Sequence, residues 1–132
     1  MAYWLMKSEP SSYSWDDLVR DGGTEWDGVR NNAARLHLKA MKKGDEAFFY
    51  ASMTDKAVVG IMRITREAQP DPKDAGWVSV RVEPVKPVRP VTLAAIKAEP
   101  KLAKMELIRQ SRLSVAPVRD GEWSTVLKMA GK

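Results

Sequence analysis

The sequence predicts an α+β fold: a small mixed β barrel with helices set around it. Three observations lead there. Short β-prone runs recur at close spacing, among them Val58-Val59-Gly60-Ile61-Met62 and Trp77-Val78-Ser79-Val80-Arg81-Val82-Glu83, the latter alternating with period two. Helical patterns fall between these runs without the strict strand–helix alternation of a doubly wound sheet. The 132 residues, 44% hydrophobic and 30% charged, suffice for one core, so residues 1–132 are read as a single domain.

Taken in order, Tyr3 to Lys7 is a strand, ended by Ser8-Glu9-Pro10 because proline has no N–H for the ladder. Ser14 caps a short helix with Asp16 and Asp17 in its first turn, where the helix dipole favours negative charge. Trp15, Leu18 and Val19 give that helix an apolar side, and Gly22-Gly23 ends it. Asn31 or Asn32 caps a second helix running to about Met41, with Ala33, Leu36, Ala40 and Met41 at helical spacing. Glu46 to Ser52 and Ala57 to Arg66 are strands joined by Met53-Thr54-Asp55-Lys56. Gly60 inside the second marks a bulge or a close backbone approach, and Pro70-Asp71-Pro72 marks a loop. Trp77 to Glu83 is a half-buried strand. Pro84, Pro87 and Pro90 then restrict the chain to a stiff connector or a sheet edge. Thr92 caps a helix over Leu93–Lys97, further helical turns carry Leu102, Met105, Leu107 and Ile108, Arg112 to Val118 is the last strand, and Trp123 to Met129 closes the chain as a helix.

Composition narrows the chemistry. There is no cysteine, so disulfide and thiolate chemistry are excluded, and the single histidine, His37, leaves little for a zinc site. No cofactor, metal or catalytic set is expected. No apolar run approaches the roughly 20 residues of a membrane-spanning helix. The N-terminus lacks the pattern of a secretion signal, so the cytoplasm is the expected compartment and no membrane partner is expected. Twenty-two basic and 17 acidic side chains give a net charge of +5, a mild excess that favours the approach of a polyanion.

The densest polar chemistry lies in Thr24-Glu25-Trp26-Asp27-Gly28-Val29-Arg30-Asn31. An indole face stacks on a nucleobase for about 1–3 kcal/mol. Asn and Asp side chains read base edges, and the Arg30 fork suits phosphate. The same residues also fit a buried tryptophan beside a turn, with Asn31 only a cap. Lys7-Ser8-Glu9-Pro10 is either the rim of a ligand site or a solvated turn. In Phe48-Phe49-Tyr50-Ala51-Ser52, alternation puts Phe48 and Tyr50 on one face and Phe49 on the other, and a core strand is the default reading. Arg112, within Ser111-Arg112-Leu113-Ser114, is a phosphate contact or one basic residue of a surface strand. Among the carboxylates Glu9, Asp16, Asp17, Glu25 and Asp27 no acid–base pair is evident, and His37 has no serine or thiol partner in the sequence.

Together, Tyr3–Pro10, Trp26–Asn31, Met41-Lys42-Lys43-Gly44-Asp45, Phe48–Ser52, Val59-Gly60-Ile61, Pro70-Asp71-Pro72 and Ser111–Val115 resemble, in order, the motifs of the EVE domain family. The resemblance spans Tyr3 to about Met129. It implies a PUA-like fold, kinship with the YTH readers of methylated adenine, and recognition of modified bases in DNA or RNA without chemistry of its own. It implies site positions at Lys7, Ser8, Trp26, Asn31, Tyr50 and Ser52 and a late basic motif at Arg112. With Asp27 and Arg30 added from their own chemistry, the expected nucleobase site is Lys7, Ser8, Trp26, Asp27, Asn31, Tyr50 and Ser52, with Arg30 and Arg112 on the strand backbone. One departure stands out: many members have histidine where this chain has Ala51.

The expected function is therefore a non-catalytic module that takes one modified base into an aromatic pocket, its partner being nucleic acid, DNA or RNA. Two alternatives remain at this level. One is an enzyme acting on a nucleotide or modified base, with Glu9 or Asp27 as general base. The other is a protein-interaction module using the Pro84–Pro90 stretch.

Overall fold

The structure is a computed structural model that describes residues 1–9, 11–52 and 55–131. Pro10, expected to stop the first strand, and Met53 and Thr54 of an expected strand connection lie outside the described residues. The elements, in chain order, are β1 (Tyr3–Ser8), α1 (Trp15–Asp21), β2 (Thr24–Trp26), α2 (Asn32–Ala40), β3 (Glu46–Ala51), β4 (Ala57–Asp71), β5 (Asp74–Thr92), α3 (Leu93–Ala98), a 3-10 turn over Pro100–Leu102, α4 (Glu106–Arg109), β6 (Val115–Val118) and α5 (Asp120–Met129).

The strands form one six-stranded mixed sheet in the order β2-β5-β4-β3-β1-β6. Among the described residues only β1 and β3 run parallel, and the other ladders are antiparallel. The expected α+β class is what forms. Among the described residues no ladder joins β2 to β6, so hydrogen bonds leave the sheet open rather than closed as a barrel. One apolar cluster nevertheless draws on all six strands, through Trp4 and Met6, Trp26, Phe49, Met62 and Ile64, Val80 and Val82, and Val115. A second cluster on the opposite face holds Leu5, Phe48 and Tyr50 with Ile96, Leu102 and Val126. There the Trp123 indole stacks on Phe48 at 3.9 Å and on Tyr3 at 4.3 Å between ring centroids.

Local chemistry explains the element boundaries. Ser14 and Asp17 form a reciprocal capping box at α1, Asn31 Oδ1 accepts the Ala34 N–H at α2, and Thr92 Oγ1 accepts the Ala95 N–H at α3. The face that α2 buries differs from the expected one. Ala34, Leu38 and the following Met41 are buried, whereas Ala33, Leu36 and Ala40 are exposed. Both sets have helical spacing, and docking on the sheet selects between them. In α1, Val19 faces solvent and Leu18 carries the packing.

β4 and β5 run longer than the sequence suggests, because the strand continues through Pro70 and Asp71. β5 also passes through all three prolines. β2 covers only Val80–Val82 of β5, so the proline segment pairs with β4 alone, as an edge and not a connector. Proline is tolerated on such an edge because its missing donor leaves no inner ladder bond unmade. Gly60 meets the close-approach expectation. The Trp15 indole rests against its Cα where a Cβ would stand.

Candidate nucleic-acid interface

A cavity of about 480 Å³ opens where the end of β1, the loop into α1, β2 and the loop after it meet the tip of the β4–β5 hairpin. That volume suits a small planar guest. Ser8 ends β1, Glu9, Ser12 and Tyr13 come from the following loop, Trp26 ends β2, and Asp27 and Arg30 come from the loop after it. Lys73 and Ser114 complete the rim.

Trp26 is both wall and core. Its exposure is 8%, and its ring meets Phe49 edge-on at 5.7 Å, as Trp15 does at 5.6 Å. The ring is buried beside a turn, as one reading of the sequence had it, and it also borders the cavity. Tyr13 supplies a second ring. Its hydroxyl donates to Asp21 Oδ2 at 2.8 Å, and burial together with that bond raises the phenol above its ordinary value, keeping it neutral. The Ser8 hydroxyl donates to the Tyr13 carbonyl, which fastens the Tyr13 loop to the strand end.

The loop carrying Asp27 and Arg30 is held by Asp71, whose carboxylate is out of contact with solvent. Asp71 Oδ2 accepts the Gly28 N–H at 2.9 Å and Arg30 Nη1 at 3.1 Å, and Oδ1 accepts the Lys73 N–H at 2.7 Å. Burial alone would raise the pKa of this acid. The two backbone donors and Arg30 outweigh burial and bring it down to about 2. Gly28 adopts a φ of 76°, the left-handed conformation that glycine takes without a Cβ penalty. Asp27 is half-buried, with its carboxylate 3.7 Å from Lys73 Nζ. The cavity thus presents two rings, a half-buried carboxylate acceptor, hydroxyls and peripheral cations.

Comparison with known proteins fits this geometry. The family model for the EVE domain matches residues 2–129. The chain belongs to the EVE domain family. Human thymocyte nuclear protein 1 is 34% identical over 168 residues, covering 99% of this chain and 75% of the relative. An NMR structure from Rhodopseudomonas palustris is 55% identical with a TM-score of 0.94, covering 99% of this chain and 94% of that one. A crystal structure of human THYN1 protein in complex with 5-methylcytosine containing DNA is 33% identical with a TM-score of 0.93, covering 100% of this chain and 99% of that one.

In this EVE domain the cavity gathers Lys7, Ser8, Trp26, Asp27 and Arg30 from the expected set. Lys7 lies beside Tyr50 in the β1–β3 register, on the face opposite Trp4 and Met6. Its Nζ donates to the Ser111 carbonyl at 2.7 Å and stands 5.9 Å from the Tyr50 ring centroid, and burial lowers its pKa. Four expected residues do not line the cavity. Tyr50 is buried in the opposite-face cluster. Asn31 spends its side-chain oxygen on the α2 cap. Ser52 is beside the site through its backbone N–H, which donates to the Ser8 carbonyl at 2.9 Å. Arg112 is exposed and borders a separate shallow depression with Asn31 and Ser111. Tyr13 and Asp71 were missed by sequence reasoning. Tyr13 stands immediately before the Ser14 cap, and Asp71 sits between two prolines, where a turn was the natural reading.

Among the described residues no group of three or more His, Cys, Asp or Glu is placed to hold a metal ion. No helix of the described residues is long and apolar enough to cross a membrane.

Proposed function

We propose that this EVE domain reads a modified base in DNA, taking 5-methylcytosine as its first ligand, without chemistry of its own. The carrying observation is the cavity with two aromatic side chains and the Asp27 carboxylate. It occurs in a chain that superposes over its whole length on a relative solved with 5-methylcytosine containing DNA. Cytosine presents an exocyclic amine, and a carboxylate is its natural acceptor. Asp27 fills that role. Trp26 and Tyr13 bound the ring, and Val29, which also lines the cavity, supplies an apolar surface for the methyl group. Extracting a base costs a few kcal/mol from a duplex and little from a single strand. A single strand is therefore the more favourable substrate form.

The test is a fluorescence-anisotropy titration with matched short strands, one carrying a single 5-methylcytosine and the other cytosine, in DNA and RNA versions. The wild type is expected to favour the methylated DNA strand severalfold, Asp27→Ala to weaken both strands together because both bases carry that amine, and Val29→Ala to lose the preference. Equal affinity for methylated and unmodified strands refutes the reading. Preference for methylated RNA over methylated DNA moves it to RNA.

A further inference from the structure

Trp77 is the one tryptophan of five that belongs to neither core cluster. It is half-buried at the base of the β4–β5 hairpin tip and carries two guanidinium groups. Arg30 Cζ lies 5.6 Å and Arg35 Cζ 5.1 Å from its ring centroid. Both distances fall within cation–π range, so one indole neighbours two like charges. Like charges gather only where something compensates them. Asp71 compensates Arg30, and Asp27 lies near Lys73. Arg35 has no ion pair among the described residues. Its Nη1 donates to the Gly76 carbonyl at 3.1 Å, and its Nε–H is buried with no acceptor. A buried donor without an acceptor is costly, and the guanidinium keeps a positive charge that an anion would neutralise.

The position of this group indicates which anion. Arg30 lines the cavity and also touches Trp77, so the paired guanidiniums begin where the cavity ends. In a nucleic-acid strand a phosphodiester lies one sugar away from each base. Planar guanidinium forks match phosphate oxygens, and an aromatic ring within cation–π range of both restricts their rotamers before binding. We propose that Arg30, Arg35 and Trp77 form a phosphate clamp that grips the phosphodiester flanking the base held in the cavity. This clamp rests on the base-reading role of that cavity. Arg35 and Arg30 touch the phosphate, and Trp77 is a positioning residue.

The experiment titrates the intact chain with the matched short cytosine strand and with the methylated strand, across a salt series. Arg35→Gln is expected to weaken both strands together and to make the plot of log K against log salt shallower by about 0.7, the value of one single-strand phosphate contact. Trp77→Leu is expected to weaken binding similarly, and Trp77→Phe to restore it, because a ring returns. In each variant the ratio of methylated to unmodified affinity stays at the wild-type value. An unchanged slope in Arg35→Gln overturns the clamp, as does a lost methylation preference with an intact slope, which marks a structural role. If the wild type shows no methylation preference but Arg35→Gln still flattens the slope, the base-reading role falls and the clamp stands. If neither strand binds, both fall. Should Trp77→Leu fail to fold, Arg35→Gln decides alone.

Discussion

Arg30 Nη1 sits 3.1 Å from Asp71 Oδ2, the same oxygen that accepts the Gly28 N–H at 2.9 Å. One buried carboxylate therefore ties a loop that follows β2 to a hairpin more than forty residues later in the chain. The loop starts from Trp26 at the end of β2 and carries Asp27 and Arg30, so the geometry of the cavity depends on a residue that does not line it.

Asp71→Asn is expected to cost about 1–3 kcal/mol of stability, because one oxygen and the negative charge are lost while the donors stay buried. The folded-state pKa of about 2 lies below the ordinary value of 3.8. The stabilisation is therefore complete above the ordinary value and is lost as the pH falls through about 2. Urea denaturation of wild type and variant should show a constant gap from neutral pH down to about pH 4 and a closing gap below it. A gap that is constant throughout the acid range contradicts the assignment.

Trp26 is too deeply packed for truncation to report binding alone. Trp26→Ala is expected to cost about 3–5 kcal/mol through the cavity it leaves against Phe49. Trp26→Phe keeps a ring in place and should unfold at a denaturant midpoint nearer wild type, with weaker uptake of a methylated strand. Wild-type affinity in a folded Trp26→Phe protein would remove the indole from the base-binding surface.

Tyr13 separates ring from hydroxyl. Tyr13→Phe removes the bond to Asp21 and is expected to cost about 1 kcal/mol while keeping base binding. Tyr13→Ala is expected to lose binding. Equal binding by both variants would show that the ring does not face the ligand.

Gly60→Ala places a methyl group inside the space of the Trp15 indole. A loss of about 1–3 kcal/mol is expected, and most of it should return when Trp15→Leu is added. A double-mutant cycle by thermal denaturation measures the coupling, and simple additivity of the two changes would contradict the packing described.

Much of the local structure was legible in single residues. Ser14, Asn31 and Thr92 announce three helix starts because a short polar side chain before an apolar pattern leaves the backbone few better partners. The alternation of Trp77 to Glu83 gave its strand, and Phe48-Phe49-Tyr50 split between two faces as expected. Helix faces were less legible. In α2 two apolar sets share the same spacing, and only contact with the sheet tells Ala34 and Leu38 from Ala33 and Leu36. Within the site, Trp26 and Asp27 stood out by composition. Asp71 did not, because its partners lie on a distant loop.

By itself, the sequence determined the kinds of elements, their caps and the family to which the chain belongs, since these depend on neighbours along the chain and on ordered motifs. The tertiary structure alone decided which of those motifs share a cavity. Tyr50 was turned to the far face by strand alternation, and Asn31 was committed to a helix end. Tyr13, Asp71 and the Trp77 pair of arginines entered through contacts between segments far apart in the chain. Such contacts are set by sheet register and packing, which no local pattern of residues encodes.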